Sequence, residues 1–216
     1  MSLTLYFHPL ASYCWKVLLA LYENETPFTP KLVDLANEAE RAELLRLWPI
    51  GKFPVLRDDA RNCVVPESTT IIEYLAQYYP GRAELLPADA ERARRVRFKD
   101  RFFDLYVHER MQRIVADRIR PADKKDPYGV SEAKGALATA YDTLEAELAD
   151  ANQQWAAGTT FTLADCAAAP ALFYGNLVLP IEGARLKAYH DRLLARPAMA
   201  RVLKEAEPYM QFFPRA

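Results

Sequence analysis

The stretch Pro66-Glu67-Ser68-Thr69-Thr70-Ile71-Ile72-Glu73-Tyr74-Leu75 decides the fold of this chain. Its apolar residues recur at helical spacing, which predicts a helix that begins at Ser68. A carboxylate beside a hydroxyl at a helix N-terminus can hold both ends of an amino-acid zwitterion. Glu67 would accept hydrogen bonds from an ammonium group, and Ser68, with the free N–H groups of the first turn, would hold a carboxylate. An ordinary helix cap is the alternative, because Ser and Glu are common at helix starts.

Phe53-Pro54 lies upstream, at the start of a predicted strand, where a proline removes a hydrogen-bond donor from the sheet. Two explanations are open. A cis peptide bond would turn the backbone of Phe53 outward, so that its N–H and C=O pair with an extended peptide ligand. Alternatively, Pro54 is only the proline of an edge strand.

Composition restricts the class of protein. The chain has 216 residues, of which 51% are apolar and 26% are charged, as in globular proteins with a substantial core. The net charge of −1 provides no global field for nucleic acid or an anionic membrane, and we expect neither as a partner. The basic run Arg92–Arg101 is expected to form a solvated helix face or ion pairs between helices rather than a nucleic-acid site.

Cysteine and histidine usage predicts a reduced, cytoplasmic protein without a metal. Cys14, Cys63 and Cys166 form no CxxC pair, and the three histidines are scattered. The first residues lack the pattern of a secretory signal. The apolar stretch 163–181 is interrupted by polar residues, proline and glycine, so it predicts a buried helix rather than a membrane span.

The order of the predicted elements indicates two domains. Up to residue 80 the order is β-α-β-α-β-β-α, which is the order of the thioredoxin fold. Everything after a short linker is helical, including one long helix over about 90–120 and another over 131–149. The predicted fold is therefore an α/β thioredoxin-like N-terminal domain (1–80), a linker (81–89) and an all-α helical-bundle domain (90–216). In the second domain, Thr162 and Asp165 predict a capping box that begins a buried helix.

With these elements placed, the chain resembles the cytosolic glutathione transferases of bacterial type over essentially its whole length, with a beta-, zeta- or theta-like class left open. Five segments carry the resemblance by their order and spacing: Leu5-Tyr6-Phe7-His8-Pro9, Lys16-Val17, Pro49-Ile50-Gly51-Lys52-Phe53-Pro54-Val55-Leu56, Pro66-Glu67-Ser68 with Ile72-Glu73-Tyr74-Leu75, and Phe161-Thr162-Leu163-Ala164-Asp165.

The resemblance implies a binding site for glutathione as a co-substrate. Glu67 and Ser68 would bind its γ-glutamyl end, and the backbone of Phe53, ahead of Pro54, would bind its cysteinyl amide. Lys52 would lie near the carboxylates of the tripeptide. The resemblance also implies a homodimer, with the basic run Arg92–Arg101 near the interface.

Thiol activation needs a hydrogen-bond donor near the N-terminus of the first helix, because only the thiolate is a good nucleophile. Many family members place the active residue at the position of Ala11, which has no polar side chain. Ser12 follows and lies in the register that the beta class uses for its cysteine, so we predict Ser12 as the catalytic residue, with capping of the helix as its alternative role. Tyr6 is the second choice. Cys14 is expected to be a core residue.

The second substrate is expected between the domains, against the long helix. Predicted lining residues are Leu10, Tyr13, Tyr106, His108, Arg110, Met111 and Arg113. The arginines would suit an anionic electrophile, or else they pair with acids on neighbouring helices. The predicted function is transfer of glutathione to a hydrophobic or anionic electrophile. The alternatives are a non-catalytic binding or scaffold protein with this fold and a glutathione-dependent isomerase.

Overall fold

The computed structural model describes residues 2–150 and 152–214. The predicted domain ranges therefore begin and end with residues outside the described part, and their boundaries stay predictions. The fold class is confirmed: a four-stranded sheet with helices is followed by an all-helical part.

The sheet part begins with the most buried strand. β1 (Leu3–Phe7) pairs in parallel with β2 (Thr29–Leu32) and antiparallel with β3 (Val55–Asp58). β4 (Cys63–Pro66) pairs antiparallel with β3, which gives the order β2-β1-β3-β4. All five residues of β1 are buried. Because successive side chains of a strand point to opposite faces, both faces of β1 must be covered.

Three helices cover these two faces. Leu3, Leu5 and Phe7 belong to the core that includes α1 (Ser12–Glu23) and α3 (Ser68–Tyr78). Tyr6 packs on the other face in a smaller core with Leu44 of α2 (Glu38–Leu47). The predicted thioredoxin-like order is thus confirmed, and α3 begins directly after β4.

The helical part differs from the prediction in its long helix. The segment predicted over 90–120 consists of α4 (Ala90–Phe102), a π-helical turn (Phe103–His108) and α5 (Glu109–Arg118). A π turn bonds each residue to the fifth along the chain instead of the fourth, so it changes the face that the following helix presents. Helix propensity does not distinguish such a turn from an α-helix, because its residues also occur in ordinary helices.

The remaining helices complete the bundle. α6 (Pro127–Glu147) begins four residues before the predicted start, where Asp126 caps the helix through the N–H of Gly129 at 2.8 Å. α7 (Leu163–Val178) carries the predicted capping box and is buried at its centre against α1. α8 (Ala184–Leu194) and α9 (Pro197–Ala206) follow, and a 3-10 segment (Glu207–Phe212) is the last element of the described chain.

Two further predictions concern a membrane-spanning helix and the basic run Arg92–Arg101. No helix among the described residues combines the length and the apolar character needed to cross a bilayer. The basic run on α4 forms ion pairs, as predicted. Arg94 pairs with Glu91 on the same helix, and Arg97 pairs with Glu73 of α3 at 2.6 Å.

Candidate functional site

A polar cavity of about 490 Å³ lies where the start of α3 faces α1 and α4. It contains all five predicted binding residues: Lys52, Phe53, Pro54, Glu67 and Ser68. The other lining residues are Tyr13, Trp48, Thr69, Thr70, Arg101, Asp104 and Leu105. The structure therefore brings together residues that are separated by an entire hairpin in the sequence.

Glu67 and Ser68 occupy the N-terminus of α3. Glu67 is at the N-cap position, but its side chain makes no capping hydrogen bond, so the ordinary-cap alternative is wrong. Its carboxylate is exposed, and its φ of 69° lies in the left-handed region that a non-glycine residue rarely adopts. Such a conformation costs about 1–3 kcal/mol and is concentrated at functional sites. Ser68 is buried as the first residue of the helix.

The Phe53-Pro54 peptide bond is cis, as the first explanation of this dipeptide predicted. Pro54 precedes β3, which begins at Val55, so it is not a proline within an edge strand. Within the described residues, the N–H and C=O of Phe53 have no backbone partner. They are therefore available to an extended ligand in the polar cavity.

An apolar cavity of about 380 Å³ adjoins the polar cavity and shares Tyr13, Lys52 and Phe53 with it. Its other lining residues are Leu10, Ala11, Ser12, Leu35, Gly51, Met111, Gln112, Val115, Tyr174, Phe213 and Pro214. Of the predicted electrophile-binding residues, Leu10, Tyr13 and Met111 line this cavity. Tyr106, His108, Arg110 and Arg113 line neither cavity.

The absence of the two arginines from both linings follows from helix geometry. An α-helix has about 3.6 residues per turn, so Met111, Gln112 and Val115 share one face of α5. Arg110 and Arg113 fall on the opposite side. The π-helical turn before α5 separates the register of Tyr106 from that of these arginines, whereas the prediction assumed one unbroken helix.

Ser12 is the first residue of α1 and lines the apolar cavity. It is buried, and its Oγ lies within hydrogen-bond distance of Nε2 of His108. Ala11 occupies the N-cap position of α1, and its side chain makes no capping hydrogen bond. The alternative role of Ser12 as a helix cap is therefore wrong, because its hydroxyl contacts the helical domain instead.

Residues 5–83 match the family described as glutathione S-transferase, N-terminal domain, and residues 104–197 match glutathione S-transferase, C-terminal domain. The chain belongs to the glutathione S-transferase family. The match covers most of both structural parts.

Individual glutathione S-transferase relatives agree with this assignment. The chain is 28% identical to glutathione S-transferase GstB of Escherichia coli over 192 residues, which are 87% of this chain and 91% of that protein. It is 34% identical to the glutathione S-transferase-like protein LUC7 of Fusarium over 167 residues, 74% of this chain and 71% of the relative. A probable maleylacetoacetate isomerase of Caenorhabditis elegans is 29% identical over 80% of this chain and 78% of its own length.

A solved glutathione transferase has the same fold. The crystal structure of glutathione transferase URE2P8 from Phanerochaete chrysosporium, with oxidized glutathione, superposes with a TM-score of 0.86 at 23% identity. The superposition covers 97% of each chain.

Tyr6, the second choice for the catalytic residue, lies outside both cavities of this glutathione S-transferase. Its hydroxyl donates to Oε1 of Glu43 at 3.0 Å and accepts from Nη1 of Arg57 at 2.9 Å. The residue is 2% exposed and packs on the face of the sheet that α2 covers. Strand alternation explains this placement, because neighbours of Tyr6 in β1 face the opposite side.

Sequence reasoning missed two charged residues of the polar cavity, Arg101 and Asp104. Arg101 contacts Asp104, and Oδ2 of Asp104 accepts from Nζ of Lys16 at 3.0 Å. Lys16 is 1% exposed and also pairs with Asp100 at 2.5 Å. The spacing of Arg101 and Asp104, three residues apart on one helix, was the available signal.

Burial shifts two pKa values next to Ser12. The pKa of His108 falls to about 3, first because burial disfavours its charged form and then because Lys16 is nearby. The pKa of Tyr13 rises, mainly through burial and secondarily through the charge of Asp104. At neutral pH the site therefore presents a neutral imidazole and a protonated phenol.

The C-terminal segment forms one wall of the apolar cavity. The ring of Phe213 lies 5.4 Å from that of Tyr174, and Nη1 of Arg118 donates to the carbonyl of Pro214 at 3.0 Å. On the other side, Tyr209 packs edge-on against His8 at 5.5 Å. These contacts hold the segment between the two domains.

Proposed function

We propose that this protein is a glutathione transferase that activates the thiol of glutathione for attack on an apolar electrophile. The observation that carries the proposal is the pairing of two adjoining cavities that share Tyr13, Lys52 and Phe53, with Ser12 on the apolar side. One cavity presents a free carboxylate and a helix N-terminus, and the other is lined largely by apolar side chains.

The polar cavity suits the tripeptide. The carboxylate of Glu67 would receive the γ-glutamyl ammonium group, while Ser68 and the first-turn N–H groups of α3 would receive the neighbouring carboxylate. The backbone of Phe53 would pair with the cysteinyl amide, and Lys52 would lie near the glycyl carboxylate. This arrangement directs the cysteinyl sulfur towards Ser12, at the border of the apolar cavity.

Ser12 would stabilise the thiolate. A free thiol has a pKa of about 8.5, so most of it is protonated at neutral pH. A hydrogen bond from the Ser12 hydroxyl, together with the positive end of α1, lowers that pKa. The thiol proton leaves to water. The thiolate sulfur then forms a bond to the electrophilic carbon, and the leaving group departs with the electron pair of the broken bond.

The lining of the second cavity favours an uncharged electrophile over an anionic one. Leu10, Met111, Val115 and Phe213 provide apolar surface, and Lys52 is the sole charged residue among the described residues that line this cavity. Lys52 would already be occupied by a carboxylate of glutathione. Arg110 and Arg113 lie on the far side of α5, so they do not support binding of an anionic electrophile in this cavity.

An isomerase is the second candidate, and the similarity to the probable maleylacetoacetate isomerase of Caenorhabditis elegans favours it. An isomerase would add the thiolate to a double bond and release the same thiolate after rotation. Glutathione would then be unchanged after turnover, whereas a transferase consumes one glutathione for each product molecule.

Calorimetric titration with glutathione tests the binding site. Loss of a hydrogen bond to a charged group costs about 1.5–3 kcal/mol, so Glu67→Gln and Ser68→Ala should each weaken binding by roughly 10- to 100-fold. Glu25→Gln is the matched control, because Glu25 is also exposed with a positive φ but lies outside both cavities. Unchanged affinity in both site variants would contradict the proposal.

Turnover with a neutral aryl halide tests the chemistry. Ser12→Ala should keep glutathione affinity but lower kcat/KM, whereas Tyr6→Phe should keep both. Binding without turnover of any electrophile in the unmodified protein would favour the scaffold alternative. Turnover that consumes no glutathione would favour the isomerase.

We also propose a homodimer in the cytoplasm. Exposed apolar side chains on β4, α3 and α4 (Val64, Tyr78 and Phe98) support an interface with a second copy, near the basic run Arg92–Arg101. The three free cysteines, Cys14, Cys63 and Cys166, suit a reducing compartment. A sedimentation mass of one chain at micromolar concentration would contradict the dimer.

A further inference from the structure

The contact between Ser12 and His108 joins the two domains at the candidate catalytic hydroxyl. Ser12 begins α1 of the sheet domain, and His108 ends the π-helical turn of the helical domain. Both side chains are buried, with 7% and 2% of their surface exposed. The imidazole also packs against the ring of Tyr13, with 4.3 Å between centroids. His108 therefore has a fixed position directly behind the hydroxyl.

The π-helical turn holds His108 in register with α1. Ser12 and Lys16 are four residues apart on one face of α1, and they contact His108 and Asp104, which are four residues apart in the turn. Both contacts thus form in the same antiparallel register. The ion pair between Lys16 and Asp104 fixes the turn, and the turn fixes the imidazole. π turns are frequent at functional sites for this kind of reason.

His108 is a weak base for a proton from Ser12 or from the thiol. Its pKa of about 3 keeps the ring neutral at neutral pH, because burial and the charge of Lys16 oppose protonation. A neutral imidazole has one nitrogen that donates and one that accepts. The remaining question is which nitrogen carries the proton.

The hydrogen-bond partners of the two ring nitrogens of His108 distinguish its two neutral tautomers. Nδ1 of His108 is buried and has no hydrogen-bond partner among the described residues. If Nδ1 carried the proton, a buried N–H would be unpaired, and Ser12 would donate its proton to Nε2. If Nε2 carries the proton, only an acceptor is unpaired, which proteins tolerate more often, as they do for backbone carbonyls.

We propose that His108 is a positioning residue for the thiol-activating hydroxyl. Nε2–H donates to Oγ of Ser12, so the hydroxyl proton of Ser12 points away from the imidazole and into the cavity. There it donates to the glutathione sulfur. This inference rests on the proposed role of Ser12 and adds that the helical domain determines the direction of its proton.

The pKa of bound glutathione tests the proposal, measured by the ultraviolet absorbance of the thiolate at saturating glutathione. A hydrogen bond to a charged group corresponds to about one to two pKa units, so Ser12→Ala should raise this pKa by at least about one unit. His108→Phe should produce a similar rise. His108→Gln, whose amide can donate from a similar position, should stay closer to the unmodified protein.

A double variant and a matched control separate positioning from general damage. Adding His108→Phe to Ser12→Ala should cause no further rise, because His108 acts through the hydroxyl. His190→Phe is the control: His190 is also buried in the helical part and has an Nε2 without a hydrogen-bond partner among the described residues, but it lies on α8. This control should leave the pKa of the thiol unchanged. His108→Met provides a second apolar substitution in case the phenyl ring prevents folding.

Three outcomes would overturn the inference. In the first, the apolar variants of His108 titrate like the unmodified protein. In the second, His108→Phe raises the pKa equally with and without Ser12. In the third, Ser12→Ala binds glutathione but does not shift its pKa, which removes the role of Ser12 and leaves the glutathione site intact. Absence of glutathione binding in the unmodified protein would instead refute the proposed function itself.

Discussion

At the scale of single residues, the polar cavity depends on groups that the fold leaves unpaired. Glu67 has an exposed carboxylate without a capping role, and Phe53 has a backbone without strand partners. The positive φ of Glu67 costs about 1–3 kcal/mol, and both the carboxylate and the Phe53 backbone are open to a ligand. Ser12 differs, because its buried hydroxyl is paired with His108 of the helical domain and does not cap its own helix.

His108 should make the stability of the protein dependent on pH. Its pKa is 6.5 as a free group and about 3 in the folded state, so between these values the unfolded chain binds a proton that the folded chain does not. The stabilising contribution is complete above pH 6.5 and is lost as the pH falls towards 3. Between about pH 7.5 and pH 5 this loss amounts to about 2 kcal/mol.

Urea unfolding at both pH values, at one protein concentration, measures this contribution. The unmodified protein should lose about 2 kcal/mol more than His108→Phe over that interval. His8 and His190 are present in both proteins, so their titration cancels. Equal losses in the two proteins would show that His108 is not buried as a neutral group.

Residue types alone predicted much of this site. Glu67 and Ser68 were found because a carboxylate and a hydroxyl adjoin at a helix start, and Pro54 because a proline is unusual at a strand. The contact of Ser12 with His108 could not be predicted from the sequence, because the partners lie 96 positions apart and neither residue type predicts the other.

At the scale of elements, the π-helical turn has the largest consequence for the cavities. It interrupts the helix predicted over 90–120, and it sets the face that α5 turns to the apolar cavity. Helical periodicity found the length of this segment but not the change of register. The predicted electrophile-binding arginines were misplaced for that reason, whereas Leu10 and Tyr13, on the short loop and first turn after β1, were not affected.

The space beside Gly175 of α7 is limited by the side chain of Tyr141 of α6. A Cβ at Gly175 would lie 2.5 Å from the hydroxyl oxygen of Tyr141, which is buried and has no hydrogen-bond partner among the described residues. Gly175→Ala should therefore destabilise the protein by about 1–3 kcal/mol through overpacking. Tyr141→Phe should be neutral or stabilising, because it removes an unsatisfied polar group.

The double variant tests whether the Tyr141 hydroxyl is what destabilises Gly175→Ala. With the hydroxyl removed by Tyr141→Phe, adding Gly175→Ala should become neutral or stabilising, since alanine is favoured over glycine in a helix by about 1 kcal/mol. Denaturant unfolding of the four proteins gives the coupling energy. Additive effects would contradict the predicted clash.

At the scale of the whole molecule, α1 holds the two domains together. Along its length, Ser12 contacts His108, Lys16 pairs with Asp100 and Asp104, and Glu23 pairs with Arg196 of the loop before α9. Trp15 packs on Phe173 and Tyr174 of α7 with centroid distances of 5.0 and 4.9 Å. The site therefore forms only where the domains meet. The sequence predicted both domains but not these contacts, because no local pattern encodes a pairing between distant helices.

Loss of Lys16 should weaken the whole molecule. Lys16→Met leaves the buried carboxylates of Asp100 and Asp104 without their cation, and removal of one partner from a buried ion pair costs about 3–5 kcal/mol. The pKa of Asp100 is already raised by burial, although Lys16 opposes that rise. Denaturant unfolding measures the loss. Arg94→Met, which removes an exposed ion pair on α4, should leave stability unchanged.

A loss for Lys16→Met no larger than that for Arg94→Met would show that this cluster does not stabilise the junction of the domains.

The most direct test of the central claim is a crystal structure of this protein with reduced glutathione. We predict the γ-glutamyl group on Glu67 and Ser68, the cysteinyl amide on the backbone of Phe53, and the sulfur within about 3.3 Å of Oγ of Ser12, near hydrogen-bond range. Glutathione bound elsewhere, or a sulfur that contacts Tyr6 or no hydroxyl at all, would contradict it.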